Sequence, residues 1–170
     1  VKYCTNDGST RFNPNLYTNG KVCVSILNTW MGEKWSSCQT INSVLLTICS
    51  LLNKTPFLNE PGMTEKSNDY DNYHKIIKYA NIHFATCKII RRFICSELND
   101  LSRFEIFYSF VKENFIKNYE KIMKIVDSNQ NEPKEVCKIH VYMFMKYTID
   151  YCYLKEYLEE TKQLVDQCIK

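Results

Sequence analysis

The segment from Arg11 to Cys23, Arg-Phe-Asn-Pro-Asn-Leu-Tyr-Thr-Asn-Gly-Lys-Val-Cys, constrains this chain more than any other. Asn13-Pro14-Asn15 is one turn signal and Asn19-Gly20 is a second. Asn and Gly both tolerate positive φ, so the second pair reverses the chain sharply and sets the following residues on a fixed ledge. Cys23 stands on that ledge between two β-branched neighbours, Val22 and Val24. A thiol presented this way is the candidate nucleophile, against the ordinary reading of a lone cysteine as a buried structural residue.

The surroundings extend the pattern. Residues 28–38 read as a loop carrying Trp30 and Trp35, and Thr40 reads as the cap of a helix with apolar positions Val44, Leu45, Ile48, Leu51 and Leu52. A structured loop punctuated by Pro56 and Pro61 follows and includes Asn59-Glu60-Pro61-Gly62, then a polar, mobile stretch over 63–72. Ahead of the turn, residues 1–5 alternate as a strand would, closed by Asn6-Asp7-Gly8-Ser9. The last hundred residues predict helix almost throughout, over 71–95, 102–126 and 135–169. In the second of these Phe104, Phe107, Val111, Phe115, Tyr119, Ile122 and Val126 form one apolar stripe, with capping residues at Asp100 to Arg103. In the third, the run from Val141 to Met145 suggests burial on more than one side, before an amphipathic stretch through Tyr147, Tyr151, Leu154, Leu158 and Val165.

Composition narrows the function classes. The chain has 170 residues, of which 45% are hydrophobic, enough to bury a core. A net charge of +3 points to neither nucleic acid nor an acidic membrane surface. Nine cysteines, odd in number and widely spread, indicate free thiols in a reducing cytosol or nucleus rather than a disulfide scaffold. No apolar run reaches membrane-spanning length. His83 and Cys87 share a helix face, with Cys95 beyond, but no second pair completes a zinc set, so no metal is expected. His140, in an apolar stretch, reads as a satisfied core histidine. A papain-like protease would need a His and an Asn or Asp to activate Cys23, and the Asn-Pro-Asn turn and the later helix fit that poorly.

Together these motifs resemble the catalytic core of the ubiquitin-conjugating enzymes. That family carries His-Pro-Asn, a cysteine eight residues after the Asn, a Trp in the next loop, a helix, and an acidic residue before a proline. Asn15 to Cys23 is the same eight positions, and Trp35 to Leu52 keeps the family spacing. The similarity is strongest to the large members, which share Arg-Phe-Asn-Pro-Asn, Gly-Lys-Val-Cys and Asn-Glu-Pro-Gly. It covers residues 1–62 well, is loose to about 125 and then lapses. It implies an α+β ubiquitin-conjugating fold entered at its third strand, without the N-terminal helix and first two strands. A partial catalytic core would occupy 1–95, and a long helical C-terminal extension would pack on it from 96–170. The chain is accordingly expected to be a fragment, a truncated gene model or a degenerate protein.

The resemblance also implies roles. Cys23 would accept ubiquitin or a ubiquitin-like modifier from an activating enzyme as a thioester and pass it to a substrate lysine. Asn15 would place its amide near the developing oxyanion or hold the adjoining loop. Asn13 replaces a family His of structural role. Tyr17 and Glu60 would flank the incoming lysine, Glu60 standing where many members have the shorter Asp. Ser25 replaces an Asp and leaves the modifier undecided. Trp35, Ser36 and Ser37, followed by Cys38, match a loop that ubiquitin ligases contact, although its usual proline is lost; Trp35 as a core anchor is the competing reading. No cofactor is implied, the partners are modifier, activating enzyme, ligase and protein substrates, and the location is the cytoplasm or nucleus. The rival expectation is a non-catalytic variant whose helical part is an interaction module.

Overall fold

The computed structural model describes residues 1–95, 102–142 and 145–168, with the backbone alone at 102 and 103. The fold is α+β, helices with one two-stranded sheet among the described residues. It divides into two compact units: Val1–Lys75 with Lys138–Lys146, and Ile76–Cys137 with Tyr147–Lys170.

In the first unit the Asn-Gly turn forms as its residues require. Gly20 has φ 88°, and a Cβ there would lie 2.8 Å from the Tyr3 carbonyl oxygen, so glycine is needed both for its φ and for the close approach. Tyr17 N donates to Lys21 O and Gly20 N to Tyr17 O, each at 2.9 Å, and Leu16 bridges Val22 across the ribbon. Leu16, Val22, Val24, Ile26 and Val44 make the core of this ribbon. Residues 1–5, expected as a strand, form no strand but join the ribbon through the bridge Lys2–Lys21 and the bond from Tyr3 N to Gly20 O at 2.8 Å. Polar side chains turn the backbone first: Asn6 Nδ2 donates to Tyr3 O at 2.9 Å, and Asp7 Oδ1 accepts from Ser9 N at 2.9 Å.

Helix α1 (Ile41–Leu51) starts at a reciprocal cap in which Thr40 Oγ1 accepts from Ser43 N and Ser43 Oγ from Thr40 N. Val44, Ile48 and Leu51 pack on the core, while Leu45 and Leu52, expected on the same face, are exposed. The stretch 63–72 is not loose. Thr64 N donates to Ser67 Oγ and Ser67 N to Thr64 O, both at 3.0 Å, and a helix begins at Tyr70.

That helix, α2 (Tyr70–Ala80), continues through a π-helical turn, Asn81–Lys88, into α3 (Ile89–Ile94), so the helix expected over 71–95 forms with a wider middle. Thr86 Oγ1 donates at 2.9 Å to Asn81 O, five residues back, filling a carbonyl of the widened turn. Helix α4 (Tyr108–Asp127) follows a 3₁₀ segment, Ser102–Phe107. Phe115 and Val126 of its stripe are buried and Phe107 is exposed; the cap expected at Asp100 lies outside the described residues.

The helix expected over 135–169 does not form as one element. Strands β1 (Glu135–Lys138) and β2 (Lys146–Ile149) precede α5 (Tyr151–Gln167). Val136, Ile139, Tyr147, Thr148 and Ile149 are β-branched or aromatic, and burial alternates, with Cys137 and Ile139 inside and Lys138 outside. Asp150 then caps α5 by accepting from Tyr153 N at 3.0 Å. Of the apolar run Val141 to Met145, positions 143 and 144 lie outside the described residues. Within the second unit Leu154, Leu158, Thr161 and Val165 are the buried side of α5. Arg91 of α3 ties to that helix through Thr161 Oγ1 at 2.8 Å and Glu160 Oε2 at 2.9 Å. Among the described residues no helix is long and apolar enough to cross a membrane.

Candidate active site

Asn13 is the local hub. It is 1% exposed. Its Nδ2 donates to Leu51 O at 2.8 Å, and its Oδ1 accepts from Asn15 N at 3.0 Å and Asn59 Nδ2 at 3.5 Å. Asn59 Nδ2 also reaches Leu51 O at 3.2 Å, so the two side chains fill a carbonyl that the end of α1 would otherwise leave unpaired. One buried amide thus fixes the Asn-Pro-Asn turn, the helix end and the loop that carries Glu60.

Asn15 and Cys23 pair across the ribbon. Cys23 N donates to Asn15 O at 2.9 Å, and Asn15 Nδ2 donates to Cys23 O at 2.7 Å. Asn15 Oδ1 is buried without a partner among the described residues. Cys23 is a free thiol and only 1% exposed, outside the apolar cluster that its neighbours Val22 and Val24 join.

Tyr17 and Glu60 belong to a group that also holds Arg11, Tyr73 and Tyr142. The Arg11 guanidinium lies 3.6 Å from the centre of the Tyr17 ring and 4.7 Å from that of Tyr142, and it donates to Pro14 O at 2.6 Å. Glu60 Oε2 accepts the Tyr142 hydroxyl at 2.6 Å. The Tyr73 hydroxyl donates to Arg11 O at 2.8 Å, and burial raises its pKa, so it stays a donor. Sequence reasoning did not find Arg11, Tyr73 or Tyr142. Arg11 opens the motif itself, which is the signal for it; Tyr142 lies in a stretch that the sequence pattern reads as helix.

Ser25 begins a 3₁₀ turn, Ser25–Leu27, whose carbonyl at Ser25 accepts from Asn28 N at 2.8 Å. Gly32, at φ 130°, packs against it; a Cβ there would lie 3.0 Å from Ser25 Cβ. Trp35 is 47% exposed and so is no core anchor, and Ser36 and Ser37 are exposed beside it. His140 is not a core histidine either: its side chain is 86% exposed and its Nδ1 donates to Asp69 Oδ1 at 2.8 Å. His83 Nδ1 meets the Tyr147 hydroxyl at 2.9 Å. Burial pushes the Cys87 thiol up to about 11. Among the described residues no three His, Cys, Asp or Glu side chains are grouped to hold a metal.

The model of the ubiquitin-conjugating enzyme family matches residues 1–81, which contain the Asn15–Cys23 ribbon, α1 and Glu60. Over those residues the chain matches the ubiquitin-conjugating enzyme family. Ubiquitin-conjugating enzyme E2 Z of Homo sapiens is 46% identical over 88 residues, 51% of this chain and 25% of that protein. E2 Z of Danio rerio is 37% identical over 118 residues, 68% of this chain and 34% of that protein. The probable ubiquitin-conjugating enzyme E2 R521 of Acanthamoeba polyphaga mimivirus is 34% identical over 139 residues, 75% of this chain and 9% of that protein. The chain therefore spans at most about a third of these relatives, 34% in the fullest case.

Proposed function

We propose that this chain carries the catalytic step of a ubiquitin-conjugating enzyme, with Cys23 as the residue charged with ubiquitin or a ubiquitin-like modifier. The observation that supports this most is the double pairing of Asn15 with Cys23, on a glycine-dependent ribbon inside the segment that matches the family. In the first step the Cys23 sulfur attacks the modifier's thioester carbonyl on the activating enzyme. A new C–S bond forms, and the activating enzyme's thiol leaves with the proton that Cys23 gives up. In the second step a substrate lysine amine attacks the carbonyl, an amide forms, the C–S bond breaks, and Cys23 regains a proton.

Asn15 supports this chemistry first by fixing the cysteine's backbone. An amide nitrogen carries two N–H donors and one is engaged on Cys23 O, so the other is open to the oxyanion. Glu60 and Tyr17 take the acceptor side, where a carboxylate and a phenol orient an ammonium, and the exclusion of water, not the carboxylate's charge, favours its loss of a proton. Trp35, Ser36 and Ser37 are exposed and suit a ligase-facing loop. A free thiol that has to stay reduced suits a reducing compartment, cytoplasmic or nuclear.

The test is a charging reaction with activating enzyme, ATP and ubiquitin, read on a non-reducing gel. An adduct heavier by one ubiquitin, lost on adding thiol and absent from Cys23→Ala, is expected. An adduct that persists in Cys23→Ala contradicts the assignment.

A further inference from the structure

Glu60 is the acceptor-side carboxylate of the reading above, and its position raises a physical difficulty. The family's usual residue there is Asp, and Glu adds a rotatable bond, so its carboxylate can swing unless something holds it. Its backbone is fixed: Glu60 N donates to Phe57 O and Met63 N to Glu60 O, both at 3.1 Å. The side chain is held by a residue 82 positions later, Tyr142, whose hydroxyl donates to Oε2 at 2.6 Å.

Tyr142 is itself well placed to hold. Asp69, 4% exposed, accepts the backbone N–H of both His140 and Val141 at 2.8 Å, which pins the segment leading into Tyr142. The Tyr142 ring sits 4.7 Å from the Arg11 guanidinium, itself held on Pro14 O, and 6.0 Å from the Tyr73 ring. Burial and the adjoining Glu60 charge both raise the Tyr142 pKa, so the hydroxyl remains a donor throughout the working range. Oε2 is therefore committed, and Oε1 has no hydrogen-bond partner among the described residues.

We propose that Tyr142 is a positioning residue for aminolysis, holding Glu60 by its hydroxyl so that the second carboxylate oxygen receives the acceptor lysine. This rests on the reading of Cys23 and Glu60 given above. A mere clasp between two loops would stabilise the fold without touching the acceptor step, and the two roles are separable.

The full chain is charged with ubiquitin, the activating enzyme is quenched, and loss of the thioester is followed with free lysine over a range of concentrations and pH. Hydroxylamine, a strong nucleophile that is uncharged at neutral pH, serves as the control. Tyr142→Phe keeps the ring and removes only the donor. Normal charging is expected, with lysine discharge slowed about tenfold, as for loss of one hydrogen bond to a charged group, a higher half-saturating lysine concentration, and hydroxylamine discharge unchanged. In a Glu60→Ala background, Tyr142→Phe is expected to cost nothing further. Unchanged lysine discharge, or equal slowing with both nucleophiles, overturns the proposal while leaving Cys23 as the charged residue. Wild-type chain that forms no thioester overturns the underlying reading and the proposal with it.

Discussion

Asn15 and Cys23, eight residues apart, are joined twice, by Cys23 N to Asn15 O at 2.9 Å and by Asn15 Nδ2 to Cys23 O at 2.7 Å. The side-chain bond fills a carbonyl in a region where both residues are buried, so its loss leaves an unpaired acceptor. Asn15→Ala should therefore lower stability by about 1–3 kcal/mol, measured by denaturant unfolding. If the amide's second N–H also serves the oxyanion, aminolysis should slow by ~10²–10³ in single-turnover discharge. A stability loss with unchanged discharge would leave Asn15 a purely structural role.

Asp69 offers a prediction in pH. Burial alone would raise its carboxyl, but hydrogen bonds from the His140 side chain and from the backbone of Val141 and His140 more than offset this, and its pKa lies below the ordinary value. A group depressed on folding contributes stability above its unfolded pKa, about 3.9, and loses it as pH falls through the lower folded value. Asp69→Asn should be less stable than wild type by about 1–3 kcal/mol at pH 7, with a smaller gap at about pH 3, below the unfolded pKa. Paired unfolding curves at the two pH values check this. A gap that persists unchanged in acid contradicts it.

Exposure orders the cysteines. Cys38, Cys49, Cys95, Cys152 and Cys168 are exposed, whereas Cys23 and Cys87 are buried. With a small alkylating reagent, read by mass spectrometry over time, the exposed group should label first. Cys23 at 1% exposure should label only through local opening, so mild denaturant should speed it selectively. Cys23 labelling as fast as Cys38 would mean that the thiol is open at rest.

What the sequence made legible is local. The Asn-Gly turn and the Thr40 cap are each written within ten residues, and each formed. The hairpin at Glu135–Ile149 was not legible, because its run of Val, Ile, Tyr and Met fits a buried helix as well as a strand. Tyr142 was lost with it, since nothing local marks a contact spanning 82 positions. The exposure of Trp35, Leu45 and Leu52 was equally hidden: apolar spacing gives the face of a helix but not what covers it. The π turn at Asn81–Lys88 shifts the helical period too little over eight residues for the pattern to reveal.

The most direct measurement is the site of the thioester. The chain is charged with ubiquitin, trapped at low pH, digested and mapped by mass spectrometry without reductant. Modification is expected at Cys23, with the other eight cysteines unmodified. A modifier found on any other cysteine, or on none, would contradict the assignment of Cys23 as the residue that carries it.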